Sequence, residues 1–263
     1  MQSTLHYSFS ENADSDYLLV IIHGLFGTAD NLSVVKRHFA PKVNVLSVDL
    51  PDHGQSAHLE HFSIEAAAEQ LYALINQFKK ARTGILGHSL GGKVAMRLAL
   101  THPQFLDDLI VADIAPVSYP SRHDAIISAL KSVDLNSINS RSDADKSLQS
   151  VIPEAGVRQF LLKSLYQDAG KQWHWRFNLN GLANSYEAIK GWQSSDAQFS
   201  EPVLFIKGGN SDYITASMQS EILQYFPAAR AHVIEGAGHW LHAEKPDAFN
   251  RVVEKHIFRP HQA

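Results

Sequence analysis

The chain reads as an α/β protein, a mostly parallel sheet flanked by helices, and three observations carry that reading. Apolar runs rich in Val, Ile and Leu recur without polar alternation, which suits strands covered on both faces. Helical patterns follow these runs, giving a strand-helix-strand rhythm. The 263 residues suffice for a full core in one undivided domain.

In chain order the runs are "YLLVII" (17–22), "VNVLSV" (43–48), "GIL" (84–86), "LIVADI" (109–114), "VLFI" (203–206) and "AHVI" (231–234). Between the second and third, Ile64, Ala67, Ala68, Leu71, Leu74, Ile75 and Phe78 fall at helical spacing. Ser63 is placed as the N-cap and Glu65 lies in the first turn. The rhythm breaks between about Val117 and Ser200, where polar "NSINSRSDADKS" precedes "FLLKSLY" and the aromatic "WHWRF". Structureless loops of that length are rare in compact domains. Residues 118–199 are therefore expected to form a helical excursion, with 1–117 and 200–263 making the core.

Composition removes several classes of function. A net charge of -4 with no local Lys/Arg cluster leaves no footprint for nucleic acid. Hydrophobic residues at 44% and charged residues at 19% exclude a disordered chain. With no Cys there is no disulfide, thiolate ligand or cysteine nucleophile. The opening "MQSTLHYSFS" lacks the basic and apolar regions of an export signal, and "YLLVII" is too short to span a bilayer. A cytoplasmic protein without a membrane span is expected.

The chemistry centres on "ILGHSLGG" (85–92). Gly-X-Ser-X-Gly is informative when a strand delivers the serine into a tight turn and a helix leaves it. Thr83 to Leu86 supply the strand, while Leu90, Val94 and Leu98 mark the helix, which runs to about Leu100. Ser89 is accordingly the candidate nucleophile rather than a simple helix cap. A serine hydroxyl needs a base, and His239, on the glycine-rich loop "EGAGHW" after the last strand run, is favoured over His242. The two histidines lack a third partner at metal-ligand spacing, so no metal is expected. "HGLFG" (23–27) follows the first strong strand and can turn backbone N–H groups towards an oxyanion. Leu25 and Leu90 are the candidate donors.

Taken together, "HGLFG", "VDLPDHGQS", "GHSLGGKVAM", "ADIAPV", "FLLKSL", "WRFNL", "GGNSDYI" and "GAGHWLHAEKPDAF" occur in an order that resembles the α/β-hydrolases, and within them the bacterial YbfF-type esterases. The resemblance covers about Ser8 to Ile257. It implies the α/β-hydrolase fold, a sheet of about eight strands, a helical cap between strands six and seven, and a triad in the order Ser, acid, His.

The acid departs from the commonest pattern, an Asp in a Gly-X-X-Asp setting after strand seven. In "GGNSDYI" that slot holds Ser211, and Asp212 is one residue late. Asp113 in "VADIAP" is the favoured acid, with Ser211 as an added hydrogen-bonding partner and Asp212 as the alternative. The role in either case is to fix the imidazole tautomer and stabilise its charged form. Asp49 and His53 fall on the loop after the second strand run, where the family uses such residues to brace the loop.

The expected activity is that of a serine esterase acting on a small-molecule ester through an acyl-enzyme, with no cofactor. An acyl-CoA thioesterase is the alternative within enzymes; a non-catalytic receptor for a small ligand is the alternative outside them. Phe26, Trp173, Trp175, Phe177 and Trp240 are candidates for the substrate pocket.

Overall fold

The computed structural model describes residues 5–259. The first half of the core runs β1 (Tyr7–Ser10), β2 (Tyr17–Ile22), α1 (Ser33–Phe39), β3 (Asn44–Val48), α2 (Ile64–Ile75), β4 (Arg82–His88), α3 (Leu90–Thr101) and β5 (Asp108–Ala112). A cap follows, built from α4 (Asp124–Ser132), α5 (Arg141–Leu148), α6 (Ala155–Leu162), β6 (Leu165–Gln167), β7 (Trp173–Trp175), α7 (Leu179–Asn184) and α8 (Tyr186–Lys190). The core then resumes with β8 (Val203–Gly208), α9 (Gln219–Tyr225), β9 (Ala229–Ile234), α10 (Leu241–Glu244) and α11 (Pro246–Ile257).

Among the described residues the main sheet has seven strands in the order β1-β3-β2-β4-β5-β8-β9. Every pairing is parallel except β1 with β3. Seven replaces the expected eight, because the chain enters the sheet through a single antiparallel edge strand, so the cap lies between the fifth and sixth strands of this sheet. β1 escaped the sequence reading since its short YSFS is half-buried rather than an apolar run.

Strand period 2 divides the core between the two faces of the sheet. Leu18, Val20 and Ile22 of β2 pack in the cluster that contains α2, α3 and the cap, while Leu19 and Ile21 pack with α1 and α11. Ser63 accepts the Ala66 N–H at 3.0 Å to cap α2, whose buried positions are those the helical spacing picked out, with Phe78 beyond its end. β9 departs from the expectation of strands covered on both faces. It is an outer strand, and Arg230, Ala231, His232 and Val233 are exposed.

One expectation for the cap is corrected. The excursion is not wholly helical: β6 and β7 pair as an antiparallel hairpin, and the aromatic "WHW" is its second strand. No helix among the described residues is long and apolar enough to cross a membrane.

Candidate active site

The parallel strands aim their carboxyl ends at one edge of the sheet, where an α/β fold has its crevice. Five loops meet there: Gly24 to Phe26 after β2, Ser89 after β4, Asp113 after β5, Ser211 after β8 and His239 after β9.

Ser89 sits at φ 53° and ψ -118°, outside the regions an ordinary residue occupies. The turn is so tight that a Cβ on Gly87 would collide with the Gly91 carbonyl, and one on Gly91 with the carbonyls of Ile22 and His23. The Ser89 N–H donates to Ala112 O at 3.0 Å, which pins the bend to β5. α3 starts at the next residue, so the Leu90 N–H is one of the donors a helix leaves without an internal partner.

Phe26 also has positive φ, 62°. Among the described residues neither the Leu25 nor the Leu90 N–H has a hydrogen-bond partner, and both residues line the cavities at Ser89. Two buried histidines hold the Leu25 turn. His53 Nε2 accepts the Phe26 N–H at 3.1 Å while Nδ1 faces Pro51 O at 2.8 Å. His23 Nε2 accepts the Leu50 N–H at 3.0 Å while Nδ1 faces Gly24 O at 2.8 Å. Each pattern requires a neutral ring with its proton on Nδ1. Burial favours the same state, lowering the pKa of His23 and pushing that of His53 down to about 3. Asp49 braces the same region, accepting the Ala29 N–H at 2.7 Å and the Gln55 N–H at 3.0 Å.

Asp113 is fully buried and has φ 54°. Its Oδ1 accepts the Gly208 N–H at 3.0 Å, and its Oδ2 accepts from the Ser211 hydroxyl and lies 2.8 Å from His239 Nδ1. Asp212 is elsewhere: its carboxylate is mostly exposed and pairs with the Arg122 guanidinium, which holds its pKa down. The structure thus brings Asp113, Ser211 and His239 into one hydrogen-bonded group and leaves Asp212 outside it.

His239 and Ser89 line the same cavity of about 380 Å³. His88, directly before the serine, is within 2.8 Å of His239 O through its Nε2. Burial, aided by the neighbouring His242 and His239, keeps His88 well below the ordinary histidine range. His242 is buried against His88 and Phe249, its pKa pushed down to about 3 by desolvation. Among the described residues no group of three or more His, Asp or Glu side chains is placed to hold a metal.

The cap roofs this cavity with Ile126, Val157, Phe160 and Leu161, facing Phe26 and Trp240 from the core. A smaller chamber of about 40 Å³ adjoins it at Ser89, reaching Lys93, Tyr119 and Tyr186. Of the expected pocket aromatics, Phe26 and Trp240 line the cavity, but Trp173, Trp175 and Phe177 do not. Trp175 stacks on Phe177 at 5.3 Å, and Phe177 packs against Phe26 at 5.0 Å, so the series stands behind the turn as its support. Trp173 packs against the core from the hairpin. The sequence reading also passed over Arg122, His123 and Tyr213, which line the cavity; Tyr213 was within reach, two residues after Ser211, whereas "PSRHD" carries no pattern that marks its site.

The model of the alpha/beta hydrolase family matches residues 19–252. The chain is 37% identical to esterase YbfF of Escherichia coli, over 98% of this chain and 99% of the relative. It is 39% identical to the sn-1-specific diacylglycerol lipase ABHD11 of Mus musculus, over 88% and 78% of the two chains. A solved structure described as a marine microorganism esterase superposes with a TM-score of 0.92 at 33% identity, covering 96% of this chain and 98% of that one. With its serine bend, its histidine held by a buried carboxylate and these relatives, the chain belongs to the α/β-hydrolase family, on its YbfF-type esterase branch.

Proposed function

We propose that this carboxylic ester hydrolase works through Ser89 as nucleophile, His239 as general base and Asp113 as the carboxylate that orients and stabilises the base. The observation that carries the assignment is the 2.8 Å contact of His239 Nδ1 with a fully buried Asp113. With Nδ1–H donated to the carboxylate, Nε2 is left as the free base.

In this reading Ser89 Oγ attacks the ester carbonyl as its proton passes to His239 Nε2. The carbonyl oxygen becomes an oxyanion, met by the Leu25 and Leu90 N–H groups, which are already fixed in place. His239 returns the proton to the departing alkoxide as the carbon-oxygen bond breaks, leaving Ser89 acylated. A water then gives its proton to His239 and attacks the acyl carbon. The bond from that carbon to Ser89 Oγ breaks as His239 returns the proton to Oγ, and the acid leaves with Ser89 and His239 restored. Ser211 and the Gly208 N–H hold Asp113 in a single rotamer throughout.

Ser89→Ala is expected to abolish hydrolysis of a short activated ester with the fold intact, and a serine-directed phosphonate should label wild type alone. Turnover retained by a clean preparation of the variant would overturn the assignment. The mainly apolar chamber under the cap also suits an acyl thioester, for which the same steps apply with a thiolate leaving. Specificity constants for acyl-CoA against the matching simple ester decide between the two. A purely ligand-binding role predicts no phosphonate adduct in folded protein.

A further inference from the structure

The His239 imidazole lies nearly flat on the Tyr213 phenol, with ring centroids 3.8 Å apart and planes 17° from parallel. Orientation alone does not require this contact, since Asp113 fixes the ring through Nδ1 and His88 contacts the His239 carbonyl. Tyr213 is itself held firmly. Its N–H donates to Ser211 Oγ at 3.2 Å, and its carbonyl accepts the Tyr119 hydroxyl at 2.6 Å. The Arg122 guanidinium carbon lies 4.6 Å from the centre of the Tyr213 ring. As the imidazole already covers one face, the guanidinium takes the other, with its charge offset by Asp212.

The face of an aromatic ring is its negative side, so a stacked partner gains when it becomes a cation. During turnover His239 becomes a cation while it carries the proton taken from Ser89 or from water. A contact that strengthens at that moment favours the transition state over the resting enzyme. We propose that Tyr213 is a positioning residue for the general base, its ring face holding the His239 imidazole in plane and stabilising the protonated form. This rests on His239 being the base.

The ionisable groups around His239 are Asp113 after β5, His88 from β4, His123 from the cap and His242 from α10. Beyond Tyr213 stands the Arg122 and Asp212 pair. The neighbouring histidines are held neutral by burial, which leaves the ring face, Asp113 and the Arg122 and Asp212 pair as the groups acting on His239 near neutral pH.

The test compares wild type with Tyr213→Phe and Tyr213→Leu. Two quantities are measured: the pH dependence of kcat and KM on p-nitrophenyl acetate, and the His239 titration midpoint by NMR. Phe keeps the ring face and should keep both quantities. Leu should lower kcat roughly threefold to thirtyfold with little change in KM. It should also move the acid limb and the NMR midpoint down by about half to one and a half pH units. An unchanged or raised midpoint in Leu overturns the proposal, as does a Phe variant that falls as far as Leu. If the Leu variant does not fold, phenylalanines with successive ring fluorines at position 213 take its place. The midpoint should then drop with each fluorine, and independence from fluorination is the contrary result. The NMR midpoint needs no turnover, so it stands apart from the assignment of the base, which retained activity in His239→Ala would overturn.

Discussion

The sheet edge that carries Ser89, Asp113 and His239 and the cap that roofs them are secured by different means. At the sheet edge, main-chain hydrogen bonds and three positive-φ residues, Phe26, Ser89 and Asp113, leave each side chain one arrangement. The cap instead packs its apolar side chains into the cluster shared with α2 and α3, and polar anchors add to that packing. Lys93 from α3 donates to Lys190 O at 2.7 Å and Gly191 O at 2.8 Å. Asn178 reaches the Asp52 carbonyl and carboxylate, and Ser164 reaches Phe26 O at 3.1 Å. Strain and redundancy at the edge fit a place where bond-making needs fixed geometry. Side-chain packing fits a roof that shapes the chamber.

The largest effect should come from the edge. Asp113→Asn is expected to lower kcat by about 10³ to 10⁴, the scale for losing the carboxylate that orients a catalytic imidazole. Asp212→Asn should change kcat by less than about fivefold. Steady-state kinetics on one activated ester check both, and the reverse ranking would move the acid to the loop after β8.

An intermediate effect is expected at the cap. Lys93→Met leaves the carbonyls at the end of α8 without their donor, a loss of about 1 to 3 kcal/mol in denaturant unfolding. Desolvation pushes the Lys93 pKa down to about 7, below its unfolded value. The unfolded chain therefore binds more protons between pH 7 and about 10, and this group makes stability rise with pH across that window. In Lys93→Met that contribution to the slope should vanish.

The smallest effect concerns the buried histidines behind the edge. Burial lowers the pKa of His53 and of His242 to about 3. Their folded values lie below the unfolded one, so stability is present above about pH 6.5 and is lost as pH falls towards 3. His242→Phe should reduce that loss by up to one proton's worth, read as a shallower fall of Tm with pH. An unchanged slope would show that His242 binds its proton equally in the folded and the unfolded chain.

How much was legible follows from the same contrast. β2, β4 and β5 are buried throughout, apart from the half-buried Arg82, and their apolar runs show it. The Ser89 bend was readable because its glycines answer a steric demand between adjacent elements. The position of Asp113 was an open choice in the sequence, since an Asp at a strand end and an Asp in a turn look alike until the pairing of β5 with β8 sets Gly208 and Ser211 beside the former. Trp173 and Trp175 misled for a related reason: aromatic residues signal large buried area, but a short hairpin decides which way that area faces. Arg122 and His123 reach the cavity through the path of the cap, a long-range outcome that local pattern does not encode.

The place of Asp113 just after β5 has one further consequence. Ser89 and Asp113 are both translated before the first cap residue, whereas His239 arrives only after the cap and two more strands have emerged. In the proposed assignment a growing polypeptide carries an inert hydroxyl through most of its synthesis, and hydrolytic power switches on only as one of the last loops settles into place.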